Sequence, residues 1–197
     1  MFRRRPRQAV PAMPDPRPAA PPDPTSQSIL VVPTAVVATT HALLRPSWRA
    51  GVEGAALWAG VETPGGGVVT TVVTPALEQS AGNYRMRPGS LRRMSRHLSR
   101  DGLTVLAQVH THPSAWVGHS RYDDAHAYSQ RDGALSLVWP HYGVLLSHDL
   151  RGVGVHERRG GRWVQLDNAG AAARVRLVDS HADFRWEIER GDLDEQE

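Results

Sequence analysis

The sequence predicts an α+β domain built on a mixed sheet, and three observations carry that expectation. Short β-branched runs and stretches of helical period follow one another without the regular strand–helix repeat of a parallel doubly wound sheet. The 197 residues suit one domain long enough to bury a core. Apolar residues make up 40% of the chain, yet none of their runs approaches bilayer-spanning length. The opening MFRRRPRQ has the basic start of a signal peptide, but no apolar segment follows it. A soluble, cytoplasmic protein is therefore expected.

Residues 1–27 hold eight of the 15 prolines among arginine, alanine and aspartate, and read as a disordered tail. The domain is expected to span residues 28–190, with an acidic, frayed end at 191–197. Ser28 to Val32 suits a first strand. Pro33 and Thr34 open a helix through AVVATTHALLR, which Pro46 is expected to end. Val52 to Val61 reads as a buried strand with one carboxylate, Glu53, in it. Val68 to Thr74 is its β-branched partner across a turn of Pro64 and Gly65 to Gly67. Residues 75–87 read as an irregular connection. Leu91, Met94 and Leu98 then mark a helix over 88–101, with Ser90 as its N-cap and Arg92, Arg93, Arg96 and Arg100 on its outer face. Leu103 to His110 is a strand, Tyr122 to Gln130 a short helix, Ala134 to Trp139 a strand, and Tyr142 to Leu146 a further one. Gly152 to His156 and Arg162 to Leu166 flank a hairpin turn at Arg159-Gly160-Gly161, and Arg174 to Val178 adds an edge strand.

The chemistry concentrates in Gln108 to Asp124, QVHTHPSAWVGHSRYDD. His110 and His112 stand at i and i+2, so both imidazoles leave an extended chain on one face. Ser120 and Asp123 complete a His-x-His-x7-Ser-x2-Asp pattern. The chain has no cysteine, which excludes disulfides, thiolate zinc sites and cysteine nucleophiles. Any metal must take nitrogen and oxygen ligands. Two histidines and a carboxylate with an open fourth position form the catalytic rather than the structural pattern for zinc.

This spacing resembles the JAMM motif of the JAB/MPN zinc metalloproteases. The HSRYDD and LSLVWPHYG segments resemble their prokaryotic JAB branch, associated with ubiquitin-like conjugation or sulfur-carrier systems. The resemblance implies a curved mixed sheet flanked by helices, which fits the predicted element order. It also implies that His110, His112 and Asp123 bind Zn2+, and that Ser120 steadies the oxyanion of the tetrahedral intermediate. The family's general base is a glutamate on an earlier strand, a place that VEGAALWAG gives to Glu53, with Glu62 and Glu78 as weaker candidates. The implied activity is isopeptide or peptide cleavage after the C-terminal glycine of a ubiquitin-like protein, whose tail would add as a strand beside the catalytic strand. Activating and conjugating enzymes of the same pathway are possible partners, and antiviral defence a possible setting.

Each residue also has a plainer reading. Ser120-x-x-Asp123 ahead of a helix resembles a capping box, a role compatible with ligation. Glu53 also reads as a strand-end carboxylate facing water. His119, His126 and Asp124 stand next to the motif but off its positions, so none is expected to bind the metal. His41 is expected to be an ordinary core-edge histidine. The net charge of +3 suggests nucleic acid, but five arginines (Arg3, Arg4, Arg5, Arg7, Arg17) lie in the tail and no aromatic-interleaved basic platform follows. Neither nucleic acid nor membrane is expected as a partner. The alternatives are a peptidase acting on a sulfur-carrier protein and a non-catalytic scaffold; scaffolds of the family typically lose ligands, and this chain keeps the set.

Overall fold

The structure is a computed structural model that describes residues 28–87, 89–144 and 149–179. The expected tail at 1–27, the domain boundary at 190 and the acidic end at 191–197 lie outside the described residues. In chain order the elements are β1 (Ile29–Pro33), α1 (Thr34–Arg49), β2 (Ala55–Thr63), β3 (Gly66–Val73), β4 (Leu77–Ser80), β5 (Asn83–Met86), α2 (Ser90–Arg100), β6 (Thr104–Thr111), α3 (Arg121–His126), β7 (Leu135–Trp139), β8 (Gly154–Arg159), β9 (Arg162–Gln165), α4 (Asn168–Arg174) and β10 (Val175–Val178). Eight strands form one sheet in the order β10-β1-β3-β2-β6-β7-β8-β9, and β4 and β5 form a separate ribbon. The sheet is mixed: β1 runs parallel to β3 and β10, β6 runs parallel to β7, and the other pairs are antiparallel. This is the expected α+β class.

Strand β2 sits at the centre and feeds two cores, because successive side chains leave it on opposite faces. Ala56 and Trp58 pack with Val37 and Leu44 of α1 on one side. Ala55, Leu57 and Ala59 pack with Tyr84, Met94 and Leu98 on the other. The first core carries a polar link: the Trp58 indole N–H donates to Thr40 Oγ1 at 2.8 Å, and Thr40 donates to Val36 O at 2.7 Å.

One irregularity in β6 positions everything that follows. Trp58 faces Ala107 and Ala59 faces Val105, so Leu106 is an extra residue in the ladder. A bulge of one residue reverses the faces of all side chains beyond it. Val105 thus lies in the α2-side core, Ala107 and Val109 in the α1-side core, and Gln108 and His110 turn back toward Tyr84.

Several expected boundaries move, each for a local reason. Helix α1 runs through Pro46 to Arg49. Pro46 withholds an N–H from Ala42, but both residues are exposed, so water can satisfy the freed carbonyl. The strand expected from Val52 begins only at Ala55 and leaves Glu53 in the approach to it, its N–H donated to Ser80 O at 2.9 Å. The β2–β3 turn is Pro64-Gly65 alone, with Gly66 and Gly67 already in β3. Residues 75–87 are not irregular; they contain the β4–β5 ribbon, turned at Ala81-Gly82 with Tyr84 and Met86 buried. Ser90 does not cap α2: Gly89 holds that position at φ 79°, and Ser90 Oγ accepts from the Ala76 N–H at 3.0 Å. Helix α3 stops at His126 rather than near Gln130, since the Tyr128 N–H is taken by Gln108 Oε1 at 2.8 Å.

The strand expected at 142–146 is absent from its described part. His141, Tyr142 and Gly143 instead form a 3-10 turn with φ of 51°, 55° and 81°, which no strand adopts. Tyr142 N–H donates to His112 O at 2.7 Å and its hydroxyl to Ala81 O at 2.9 Å. The β8–β9 hairpin stands as expected, with Gly160 and Gly161 at φ 55° and 77° in the turn. Arg174 ends the short helix α4, which Asp167 caps through the Gly170 N–H at 2.7 Å, and β10 is the expected edge strand.

Candidate metal centre

His110 is the second-last residue of β6 and His112 lies one beyond its end; they are 0% and 4% exposed. Asp123 reaches them from α3, where it is the one buried residue. His110 Nε2 lies 3.7 Å from Asp123 Oδ1, and His112 Nε2 lies 3.4 Å from Asp123 Oδ2. One donor atom from each of the three residues falls within 4.8 Å of the others, a group able to hold a metal ion.

The helix cap and the site are the same object. Ser120 Oγ accepts from the Asp123 N–H at 3.1 Å, while the Ser120 N–H and O–H each donate to Asp123 Oδ2 at 2.7 Å. The plainer capping-box reading therefore holds, and it orients the carboxylate toward the histidines. In this arrangement the Ser120 hydroxyl proton points at Asp123.

Charge in the pocket follows from burial and pairing. Burial opposes ionisation of Asp123, but His112, His110 and the two Ser120 donors overcome it and hold the carboxylate well below its usual range. Burial pushes the His110 imidazole well down, so it stays neutral. Burial also pulls on His112, yet Asp123 and the Trp116 carbonyl win and leave it above its ordinary value. Glu53 is 3% exposed, and its burial raises the carboxyl to about 7, with His112 opposing and Asp123 adding to the rise. The solvent-facing reading of Glu53 fails. Glu62 and Glu78 are exposed, and Glu78 is paired with Arg85 at 2.6 Å.

A second ring of groups was not visible in the spacing. Tyr84 packs on His110 at 5.2 Å between ring centres and takes a hydrogen bond from Gln108 Nε2 at 2.5 Å. Trp116 stacks on His112 at 4.9 Å and 14°, and its carbonyl accepts from His112 Nδ1 at 3.1 Å, leaving Nε2 toward Asp123. Gly118 makes room for that indole: a Cβ there would stand 2.7 to 2.9 Å from its ring atoms. Among the off-motif residues, His126 Nδ1 is engaged by Tyr122 O at 2.9 Å, and His119 bonds Asp124 and Ser136. His41, partly buried, stacks on Trp48 far along the chain from the motif.

Residues 34–154 match the family described as prokaryotic homologs of the JAB domain. A relative from Sinorhizobium fredii, named probable metalloprotease y4jG, is 39% identical over 117 residues, 57% of this chain and 72% of that one. Among solved structures, one of a protein from Desulfitobacterium hafniense aligns at TM-score 0.56 and 15% identity, covering 77% of this chain and 94% of the other. Another, from Salinibacter ruber, aligns at TM-score 0.50 and 12% identity over 79% and 94%. At these identities the two structures speak to the fold. No described helix is long and apolar enough to cross a membrane.

Proposed function

The chain belongs to the family of prokaryotic homologs of the JAB domain, and on that premise we propose a zinc-dependent peptidase that cuts after the C-terminal glycine of a ubiquitin-like protein. The observation that carries the metal is His110 Nε2. It is wholly buried and has no hydrogen-bond partner, a cost that a cation bound there would relieve. His110, His112 and Asp123 would hold the ion, and their two nitrogens and one oxygen suit zinc with a coordination position left open. Zinc bound there supplies Lewis acidity, polarising a carbonyl and lowering the pKa of water.

The remaining steps belong to side chains. Glu53, poised near neutrality, takes the proton from the attacking water and returns it to the leaving amine. Ser120 acts on the oxyanion by turning its hydroxyl away from Asp123 Oδ2, an oxygen that still keeps the Ser120 backbone N–H. Cleavage passes through no acyl-enzyme. Strand addition beside β6 is excluded, because β2 and β7 already occupy both its edges. The β4–β5 ribbon, whose Tyr84 packs on His110, offers an open edge for an extended tail instead.

The test is metal content together with cleavage of a ubiquitin-like protein bearing a C-terminal extension. About one zinc per chain is expected, with product ending at the glycine. Glu53→Gln should keep zinc and lose cleavage, and His112→Ala should lose both. A protein that binds zinc and cuts no such substrate would refute the substrate assignment. A protein that does neither would be a scaffold.

A further inference from the structure

We propose that His119 is a positioning residue for the metal centre: it ties the helix that carries Asp123 to the sheet that carries His110. The inference rests on the reading of His110, His112 and Asp123 as ligands. It starts from a weakness of α3. The helix has six residues, too few to persist by itself, and its one buried residue is Asp123, so no fully buried apolar side chain anchors it. Something else must hold that carboxylate in register with the histidines.

His119 supplies the link. Its Nδ1 lies 3.0 Å from Asp124 Oδ1, in the first turn of α3, and its Nε2 lies 2.9 Å from Ser136 Oγ on β7. A carboxylate only accepts, so the proton sits on Nδ1 and the Ser136 hydroxyl donates to Nε2. Ser136 is the register partner of Gln108, two residues before His110 on the neighbouring strand. The chain Asp124–His119–Ser136 thus spans from the residue next to Asp123 on α3 to β7, the strand beside the one that carries His110. The His119 ring is clamped as well: it contacts His110 at 5.3 Å, stacks on His156 at 4.2 Å and meets Trp163 at 5.0 Å. Burial favours its neutral form.

The order serine, histidine, aspartate is that of a nucleophilic triad, but Ser136 is 0% exposed in the middle of a paired strand and no substrate reaches it. Both His119 nitrogens are engaged, which also removes it as a ligand. A role through position is what the geometry leaves.

The experiment measures zinc affinity by chelator competition and the visible spectrum of the cobalt-loaded full chain. The variants are His119→Ala, His119→Asn, Ser136→Ala and the His119→Ala/Ser136→Ala double. Loss of a group bonded directly to a metal ligand costs about 10–100-fold in affinity, and His119, one bond further out, belongs at the lower end of that range. We expect that loss for His119→Ala, with altered cobalt bands and an unchanged far-UV spectrum of the metal-free chain. His119→Asn, which places an amide N–H where Nδ1–H stood, should recover part of it. Ser136→Ala should weaken binding alone and add nothing in the His119→Ala background. If His119→Ala does not fold, Ser136→Ala, which keeps the ring in place, decides. Wild-type affinity and cobalt bands in a folded single variant overturn the proposal. His112→Ala serves as the control: if it too binds zinc normally, the ligand assignment has failed rather than the tether.

Discussion

At the residue scale, the pocket raises the proton affinity of two groups, Glu53 through burial and His112 through Asp123. Glu53 holds a proton in the folded, metal-free chain up to about pH 7, whereas the unfolded chain releases it near 4.5. The folded state therefore binds more protons in that window, and its stability falls as pH rises through it. Glu53→Gln lacks this dependence. Thermal melts of the metal-free proteins should show the variant gaining on the wild type between those two pH values and then levelling; parallel curves would mean that Glu53 is not held protonated. His112 is shifted in the same direction by a different cause. Asp123 keeps it protonated above its ordinary value, and zinc must displace that proton. Zinc affinity should fall about tenfold per pH unit below the His112 pKa, and a pH-independent affinity in chelator competition would remove His112 from the ligand set. Period two placed the two histidines on one face and the capping box tied Ser120 to Asp123, while the resemblance to the JAMM motif joined the four into one set. Tyr84, Trp116 and the binding partners of His119 were not legible in the sequence, since each meets the site through a contact that only the folded chain creates.

At the element scale, the informative failures are those where a local signal met a tertiary one. Pro46 is a stop signal that α1 overrides because the lost hydrogen bond faces water. The 75–87 stretch carried a strand signal, with Tyr84 and Met86 alternating after Ala81-Gly82, but its polar outer residues masked the period. The Leu106 bulge is silent in sequence and decides which face the histidines take. The join between α1 and β2 can be tested directly. Thr40 is wholly buried and accepts from the Trp58 indole, so Thr40→Val keeps the shape and leaves a buried N–H without its partner. An unsatisfied group of this kind costs about 1–3 kcal/mol. Urea denaturation should show that loss with an unchanged slope, and a change below half a kcal/mol would mean that Trp58 finds another acceptor.

At the scale of the whole molecule, the element order was legible, and with it the α+β class, but the neighbours were not. The pairing of β1 with β10 joins the first and last described strands, Leu30 facing Val175, and no local pattern encodes a contact of that sequence separation. The same long-range assembly determines what the metal contributes to stability. Both apolar cores are built from sheet and helix side chains, and His110 meets one of them through Tyr84. The metal-free chain should therefore stay folded, unlike a domain that a structural zinc holds together. Zinc should nevertheless stabilise it, since only the folded chain brings residues 110, 112 and 123 within reach of one ion. At a free zinc concentration about a hundredfold above its Kd the gain is about 2.7 kcal/mol, or roughly 5–11 °C in Tm for a domain of this size. Chelation should reverse the shift while the far-UV spectrum holds, and His112→Ala should show no shift. Collapse of the secondary structure on chelation would make the ion structural, and would contradict both the open coordination position and the hydrolytic role that depends on it.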